Sequence, residues 1–245
     1  MAPIRAVTFD FWQTLVEDSP KNLAKQRARR VEAIAAILRR AGCPLSARKV
    51  EAAYERSEHV LHERFWSRDR DPLIGDQVQL VLDIASPGVC AGLDPALLAE
   101  AVTSYSDPVL HFPPDLHPGA PEAVRGLAER GVALGIVSNT GRTPGIILRQ
   151  ILERYDLLRH FSVISYSDEV GYRKPDPEIF RRTLAGLGAE ARHAAHVGDN
   201  PIADVTGAQS AGMRGVHLAA RGRPPAAHAD VVVTDLRHLV DRLLT

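Results

Sequence analysis

The sequence has few cysteines and no long apolar run. Cys43 and Cys90 are the only cysteines among 245 residues, which excludes a disulfide framework and a four-cysteine zinc site. No apolar run approaches the ~18 residues that a membrane-spanning helix needs. The N-terminus lacks the basic region and apolar stretch of a secretory signal. We therefore expect a cytoplasmic protein that does not associate with membranes.

An excess of charge of either sign is also missing. Lys and Arg total 30, Asp and Glu total 30, and the formal net charge is +0. This balance disfavours nucleic acid and anionic membranes as partners. Hydrophobic residues at 45% and charged residues at 24% are ordinary for a globular protein and exclude a disordered chain. We expect a small molecule as the partner, and nothing in the sequence sets an oligomeric state.

Six short apolar runs predict the strands of a sheet. They carry no polar alternation, and helical stretches separate the later ones. Such runs are typical of a parallel sheet that is covered on both faces. The sequence therefore predicts an α/β, doubly wound, Rossmann-like core that binds its ligands at the carboxyl ends of the strands. The runs are 4–9, 132–137, 161–164, 194–197, 215–218 and 231–233.

Residues 20–110 interrupt this alternation. Apolar residues recur with helical spacing within 23–41 and within 50–65, and 73–84 and 95–105 predict two further helices. We expect residues 16–116 to form an all-helical insert that caps the strand ends. Residues 1–15 and 117–245 are then expected to form the core domain.

Polar and charged residues stand at or just beyond the ends of four predicted strands. Because the carboxyl ends of parallel strands meet at one edge, these side chains should converge on one crevice. Three carboxylates beside one ammonium repel each other without a cation, and oxygen ligands suit Mg²⁺. A carboxylate can act as a nucleophile, with lysine and Mg²⁺ neutralising a transferring phosphoryl group. The residues are Asp10, Ser138, Lys174, Asp199 and Asp204.

In order and spacing, these segments resemble the motifs of the haloacid dehalogenase superfamily, whose members are mostly phosphatases. The segments are Val-Thr-Phe-Asp-Phe-Trp-Gln-Thr-Leu at 7–15, Ser-Asn-Thr at 138–140, Lys-Pro-Asp-Pro at 174–177 and Gly-Asp-x-x-x-x-Asp at 198–204. The resemblance implies a helical insert of the family's C1 type after the first motif. It also implies hydrolysis of a small phosphorylated substrate.

The resemblance gives the charged motif residues their expected roles. Asp10 is the expected nucleophile, which forms an aspartyl intermediate, and Lys174 balances the charge on it. Mg²⁺ is expected to bind Asp10, the backbone carbonyl of Trp12 and Asp199. Asp204 is expected to orient Lys174 or a metal-bound water.

Substrate binding is expected from Ser138, Asn139 and Trp12, but Trp12 departs from the family pattern. Phosphatases of the family carry an Asp at this position, which protonates the leaving group and then activates water. Here the position is Trp12, and Gln13 replaces the usual glycine that follows. The indole N–H donates hydrogen bonds but cannot give up its proton at pH 7. General acid–base catalysis typically raises a reaction rate by ~10²–10⁴-fold, so its loss is large. We therefore expect atypical or slow acid–base chemistry.

Two alternatives stay open at this point. Relatives with an aromatic residue at position 12 include the 2-haloacid dehalogenases, which attack carbon and need no metal. Asp199 opposes this alternative, because those enzymes typically lack that carboxylate. The other alternative is a protein that binds a phosphorylated ligand, or regulates a partner, with little turnover; intact Asp10 and Lys174 weigh against it.

Several other side chains could act at the site but receive no catalytic role here. Glu17 and Asp18 could replace the missing acid, but solvated loop carboxylates are more common. His59 and His62 could stand over the site, but a solvated cap helix explains them as well. Phe65 and Trp66 could mark a patch for an anionic substrate together with Arg64, Arg68 and Arg70. We expect the two aromatic residues instead to anchor one cap helix on another, with these arginines in solvent.

Overall fold

The computed structural model of the protein describes residues 2–220, 222 and 224–244. Met1, Arg221, Arg223 and Thr245, which the predicted core includes, lie outside the described residues. The strands of the described residues are β1 (Ala6–Phe9), β2 (Val16–Glu17), β3 (Asp115–Leu116), β4 (Ala133–Ser138), β5 (Val163–Tyr166), β6 (Ala194–Gly198), β7 (Arg214–Leu218) and β8 (Val231–Val233).

The α-helices of the same residues are α1 (Pro20–Arg40), α2 (Ala47–Arg64), α3 (Ile74–Ala85), α4 (Pro95–Ser106), α5 (Pro108–His111), α6 (Ala120–Ala128), α7 (Gly145–Arg154), α8 (Ser167–Val170), α9 (Pro177–Leu187), α10 (Gly207–Ser210) and α11 (Leu239–Leu244). A π-helical turn covers Pro201–Thr206, and 3₁₀ turns cover Trp66–Arg68, Val89–Gly92, Leu158–His160, Ala191–His193 and Leu236–His238. None of the helices described is long and apolar enough to cross a membrane.

The six predicted strands form one parallel sheet in the order β5-β4-β1-β6-β7-β8. Strand β1 lies at its centre, with Thr8 aligned to Gly135 on one side and to His196 on the other. After β1, the chain adds β4 and then β5 on one side of it, and later adds β6, β7 and β8 on the other side. The strand order therefore reverses beside β1, and ligands of doubly wound sheets bind at such a reversal. The predicted fold class is confirmed.

Helices cover both faces of the sheet, which explains why the strands lack polar alternation. All four residues of β1 are buried. On one face, the core cluster joins the sheet to α6, α7 and α11 through buried residues such as Leu127, Leu148 and Leu239. On the other face, Phe180 of α9 and Ala208 of α10 pack on the sheet.

The helical segment between β1 and α6 has a core of its own. Helices α1 to α4 pack around buried side chains that include Ile34, Leu38, Val78 and Tyr105. This agrees with the four helices expected from the spacing of apolar residues.

A short antiparallel ribbon lies at the base of that segment. Val16 pairs with Leu116, and Glu17 pairs with Asp115. No strand is expected within 20–110, and residues 20–110 form none; the ribbon instead lies at the two ends of the segment 16–116, which was expected to be all-helical, and that detail is wrong. Strands of two residues are too short to show a hydrophobic period, so the pattern could not reveal them.

Candidate active site

Asp10, Lys174 and Asp204 form a buried ionic cluster at the carboxyl end of the sheet. Asp10 directly follows β1, and its N–H donates to the carbonyl of Val197 at 2.9 Å, which extends the ladder to β6. Lys174 Nζ lies 2.7 Å from Asp10 Oδ1 and 2.6 Å from Asp204 Oδ1. The three side chains are almost fully buried. Residues far apart in sequence thus meet where the parallel fold predicts.

The side chain of Asn139 fixes the backbone of Lys174. Asn139 Nδ2 donates to the Lys174 carbonyl at 3.0 Å, and the Lys174 N–H donates to Asn139 Oδ1 at 2.8 Å. This pair joins the end of β4 to the loop that carries the lysine. The structure therefore gives Asn139 a positioning contact within the protein, while its contact with a substrate stays a prediction.

Ser138 ends β4 and lies beside the nucleophile expected at position 10. Its hydroxyl is close enough to Asp10 to favour the ionised carboxylate. The buried Ser138 Oγ makes no hydrogen bond of ordinary geometry within the described residues. A buried hydroxyl without such a bond is costly unless a ligand supplies the partner. Ser138 therefore fits the expected contact with a substrate oxygen.

Asp204 is held on both oxygens. Its Oδ2 accepts the backbone N–H of Asn200 at 2.8 Å, and its Oδ1 lies 3.2 Å from His196 Nε2. The other ring nitrogen, His196 Nδ1, lies 2.8 Å from Thr8 Oγ1. Gly198 allows this packing, since a Cβ there would lie 2.1 Å from Asp204 Cγ. Sequence analysis missed His196; the only signal was an imidazole within an otherwise apolar strand.

Asp199 completes a group of three carboxylates. Asp10, Asp199 and Asp204 each offer an oxygen, and these atoms lie within 4.8 Å of one another. With all three ionised, Lys174 leaves an excess of two negative charges. Hard oxygen donors with unbalanced charge fit a divalent cation such as Mg²⁺. Because Asp204 is engaged on both oxygens, Asp10 and Asp199 are the better placed ligands.

The electrostatics of the cluster agree with that imbalance. Burial raises the pKa of Asp10, although Lys174 opposes the shift. Burial and the neighbouring Asp10 and Asp204 raise the pKa of Asp199 to about 7. Burial disfavours the charged form of Lys174, but the carboxylates of Asp10 and Asp204 raise its pKa above the ordinary value. Burial likewise opposes ionisation of Asp204, yet Lys174 and His196 hold its pKa below the ordinary value.

Two cavities flank the cluster. One, of about 420 Å³, has Trp12 and Thr140 in its wall and opens between the sheet and the helical segment. The other, of about 640 Å³, has Asp199 and Gln13 in its wall. The larger cavity therefore gives access to Asp199, and the smaller one is lined by residues that follow β1 and β4.

The turn after Asp10 has an unusual backbone. Gln13 adopts the left-handed conformation, with φ of +56°. L-residues rarely adopt this conformation, and glycine adopts it readily. The turn therefore has the left-handed conformation for which the glycine expected at position 13 is suited. Trp12 packs edge-on against Phe11, with ring centroids 4.9 Å apart, and presents its indole to the smaller cavity.

The side chains weighed as replacement acids lie in different surroundings. Asp18 is buried and accepts a hydrogen bond from Gln26 Nε2 at 2.8 Å. Glu17 is exposed and lies 3.2 Å from His117 Nε2, in the wall of the larger cavity. His59 and His62 are exposed, and neither lines either cavity.

A second buried cluster docks the helical segment on the sheet domain. Asp71 Oδ2 accepts hydrogen bonds from Ser167 Oγ at 2.6 Å and Arg173 Nη1 at 2.7 Å. Asp71 Oδ1 accepts the indole N–H of Trp66 at 2.9 Å, and the Arg173 guanidinium lies 5.0 Å from the Trp66 ring. Trp66 therefore contacts Asp71 within the helical segment and Arg173 of the sheet domain, and its expected role as an anchor between cap helices stays a prediction. The exposure expected for Arg64, Arg68 and Arg70 is confirmed.

The chain is similar to haloacid dehalogenase-like hydrolases and to several phosphatases. The family model of haloacid dehalogenase-like hydrolases matches residues 4–212. The phosphoserine phosphatase of Thermus thermophilus is 42% identical over 130 residues, which are 50% of this chain and 50% of that protein. The glyceraldehyde 3-phosphate phosphatase of Methanopyrus kandleri is 30% identical over 220 residues, which are 88% of this chain and 84% of that protein.

Solved structures share the fold over the whole length. A 2-haloacid dehalogenase from Pseudomonas syringae pv. Tomato is similar with a TM-score of 0.72 at 24% identity, covering 98% of both chains. At that identity, the likeness concerns the fold alone. The chain spans about half the length of curated relatives such as the phosphoserine phosphatase.

Proposed function

The chain belongs to the haloacid dehalogenase-like hydrolase family, and on this premise we propose that it is a Mg²⁺-dependent phosphatase. Its substrate is a small phosphorylated metabolite, and the reaction proceeds through an aspartyl-phosphate on Asp10. The observation that carries the proposal is the Lys174 ammonium, 2.7 Å from Asp10 Oδ1, in a site that also holds Asp199. Relatives named as phosphatases, among them the glyceraldehyde 3-phosphate phosphatase, support it.

We also propose the organisation of the chain around this chemistry. Residues 16–116 form a cap of the C1 type, and residues 1–15 and 117–245 form the hydrolase core. Trp12 occupies the position of the family's acid–base residue. The substrate reaches the site within the cytoplasm.

The proposed reaction begins with attack by Asp10. The free carboxylate oxygen bonds to phosphorus, and the bond from phosphorus to the leaving-group oxygen breaks with its electron pair on that oxygen. Lys174 keeps the nucleophile ionised and opposes charge on the phosphoryl group, and Ser138 donates to a phosphoryl oxygen. Water then attacks phosphorus and releases phosphate, and the carboxylate of Asp10 is restored.

The cation site follows from the same carboxylates. Asp10, Asp199 and the carbonyl of Trp12 would hold Mg²⁺, which supplies positive charge for the phosphoryl oxygens. Asp204 keeps the Lys174 ammonium in place. Trp12 can neither protonate the leaving group in the first step nor accept a proton from water in the second. Substrates whose leaving group departs unprotonated therefore react best.

A carbon-centred hydrolysis is the second candidate. The indole of Trp12 in the cavity wall favours it, because an aromatic wall suits a small carbon substrate. The carboxylate of Asp199 opposes it, because an unneutralised carboxylate repels an anionic haloacid.

One assay separates the candidates. Phosphate release from acetyl phosphate and 4-nitrophenyl phosphate is measured with Mg²⁺ and with EDTA, and halide release from 2-chloropropionate is measured alongside. We expect phosphate release that needs Mg²⁺ and stops in Asp10→Asn, and weakened Mg²⁺ binding in Asp199→Asn by calorimetry. Halide release without metal would support the second candidate. A metal-independent phosphatase activity that survives Asp10→Asn would refute the first.

A further inference from the structure

Both tryptophans of the chain line the same cavity. Trp12 comes from the turn after β1 and Trp66 from the end of α2, and Tyr54 of α2 adds a third ring. We call this space of about 420 Å³ the aromatic cavity. Only 5% of the chain is aromatic, so three rings in one wall are a concentration of aromatic side chains, although Tyr54 is 5% exposed and lies against the Arg142 guanidinium. Such rings suit a flat apolar group, which they can contact face-on or edge-on.

Two buried guanidinium groups share this wall. Arg30 is 5% exposed, and the Arg142 side chain is 10% exposed. Arg30 donates to the carbonyl of Tyr105 at 3.0 Å and to Thr143 Oγ1 at 2.9 Å. Arg142 donates to the Tyr105 hydroxyl, to the carbonyl of Tyr54 at 3.2 Å and to Ser57 Oγ at 3.1 Å.

These two groups bring positive charge to the wall of the cavity. Every hydrogen bond described for Arg30 and Arg142 goes to an uncharged oxygen. Glu58 Oε2 lies 3.7 Å from Arg142, but its side chain is 62% exposed and screened by solvent. The buried carboxylate of Asp18 also interacts with Arg30, but the two cations together still attract an anion that enters the cavity.

The aromatic cavity adjoins the nucleophile. Trp12 and Thr140 line it, and each stands two residues beyond a residue of the site, Asp10 and Ser138. The turn after β1 and the loop after β4 therefore link the site to the cavity.

We propose that the substrates are aryl phosphate monoesters, whose aromatic leaving group occupies the aromatic cavity. The inference rests on the proposed phosphatase function. Two independent features support it: Trp12 supplies no proton, and the cavity offers flat rings and two buried cations. A phenol such as the tyrosine side chain ionises at about pH 10, far below an alkyl alcohol, so an aryloxide can depart unprotonated. Arg30 and Arg142 stabilise the negative charge as it forms.

The atoms balance without a protein acid. The carboxylate of Asp10 bonds to phosphorus, and the bond from phosphorus to the aryl oxygen breaks with its electron pair on that oxygen. The aryloxide leaves as an anion and takes its proton from water. Hydrolysis of the aspartyl-phosphate then releases phosphate and a proton to solvent.

A pair of substrates of equal leaving-group acidity tests the inference. Phenyl phosphate is compared, on the full chain with Mg²⁺, with a fluoroalkyl phosphate whose alcohol matches phenol in pKa. We expect kcat/KM at least about tenfold higher for phenyl phosphate, the scale of two ring contacts. Tyr54→Leu should remove most of that ratio and Tyr54→Phe should keep it. Tyr172→Leu, which removes a ring outside the cavity, is the matched control and should leave the ratio unchanged.

Binding without turnover gives a second measurement. Because both tryptophans line the cavity, intrinsic tryptophan fluorescence reports on its occupancy. We expect (4-nitrophenyl)phosphonic acid, whose carbon–phosphorus bond the enzyme cannot hydrolyse, to quench most of the emission. Methylphosphonic acid at the same concentration should quench little. Trp12→Phe and Trp66→Phe should each still show quenching of the remaining tryptophan.

The outcomes distinguish the two proposals. Phosphate release with equal kcat/KM for both substrates, and no selective quenching, would overturn the aryl substrate class and leave the phosphatase function standing. Release from neither substrate nor from acetyl phosphate would overturn the phosphatase function and the substrate class together.

Discussion

The ammonium of Lys174 lies 2.6 Å from Asp204 Oδ1, and less than 5% of either residue is exposed. The same ammonium contacts Asp10 Oδ1 at 2.7 Å. One buried cation therefore holds two buried carboxylates, and the site depends on that cation for its charge balance. Removing one partner of such a cluster leaves an uncompensated buried charge.

Lys174→Met is expected to destabilise the protein and to stop turnover. The loss of the cation leaves Asp10 and Asp204 facing each other in a buried site. We expect the free energy of unfolding to fall by about 3–5 kcal/mol, measured by urea denaturation in EDTA. The double variant with Asp204→Asn should lose less than the sum of the two single losses. A Lys174→Met protein as stable as the wild type would contradict this account of the cluster.

Trp12→Asp is expected to improve hydrolysis of substrates with poor leaving groups. A carboxyl group at position 12 can protonate the leaving oxygen and then activate water. We expect turnover of an alkyl phosphate to rise by up to ~10²–10⁴-fold. The rise is smaller if loss of the indole leaves a void that loosens the site. Turnover of 4-nitrophenyl phosphate is the comparison: its leaving group needs no proton, so it gains only from faster hydrolysis of the aspartyl-phosphate and should rise less. Unchanged turnover of both substrates, with the fold intact, would mean that position 12 does not face the proton-transfer path.

Gln13→Gly is expected to stabilise the protein. Gln13 is exposed and has φ of +56°, which costs an L-residue roughly 1–2 kcal/mol. Glycine removes that cost but loses more backbone entropy, so we expect a net gain of about 0.5–1 kcal/mol. Gln79→Gly, inside α3, is the matched control and should destabilise by about 1 kcal/mol. Thermal denaturation measures both, and a loss of stability in Gln13→Gly would show that the side chain makes a compensating contact.

Asp168→Asn is expected to stabilise the protein only at higher pH. Burial raises the pKa of Asp168 from 3.8 to about 6, so the wild type loses stability as pH rises through this window. Asparagine removes the buried charge, and its carbonyl can still accept the N–H of Gly145, which lies 3.1 Å from Asp168 Oδ2. We expect a gain of about 1 kcal/mol at pH 8 that disappears near pH 4. Urea denaturation at both pH values measures the gain. An equal effect at both would argue against titration of this group.

Local sequence signals were strong enough to predict most of the fold. Helix α9, Pro177–Leu187, has clear local signals at both ends, because Pro177 starts it, Asp176 caps it and Gly188 ends it. The strands matched because they are buried on both faces and therefore apolar throughout. The ribbon of β2 and β3 escaped prediction because its pairing is long-range and its strands are short.

The candidate site also has a part that the sequence predicts and a part that it does not. Its convergence of Asp10, Lys174 and Asp204 follows from a parallel sheet with the motifs at the strand ends. Asp71 and Arg30 could not be predicted, because they come from the helical segment and act only through its docking on the sheet domain. No local pattern encodes that docking, since it depends on contacts between residues far apart in the chain.

The ribbon of β2 and β3 also bears on how the protein can change over evolutionary time. Val16 and Leu116 are partners in it, so the chain leaves the sheet domain and returns at nearly the same point. The entropy of closing the loop between them grows only slowly with its length. Helices can therefore lengthen, shorten or be replaced within this segment while Asp10 and Ser138 keep their separation. Selection can remodel the walls around the substrate independently of the residues that carry out the reaction.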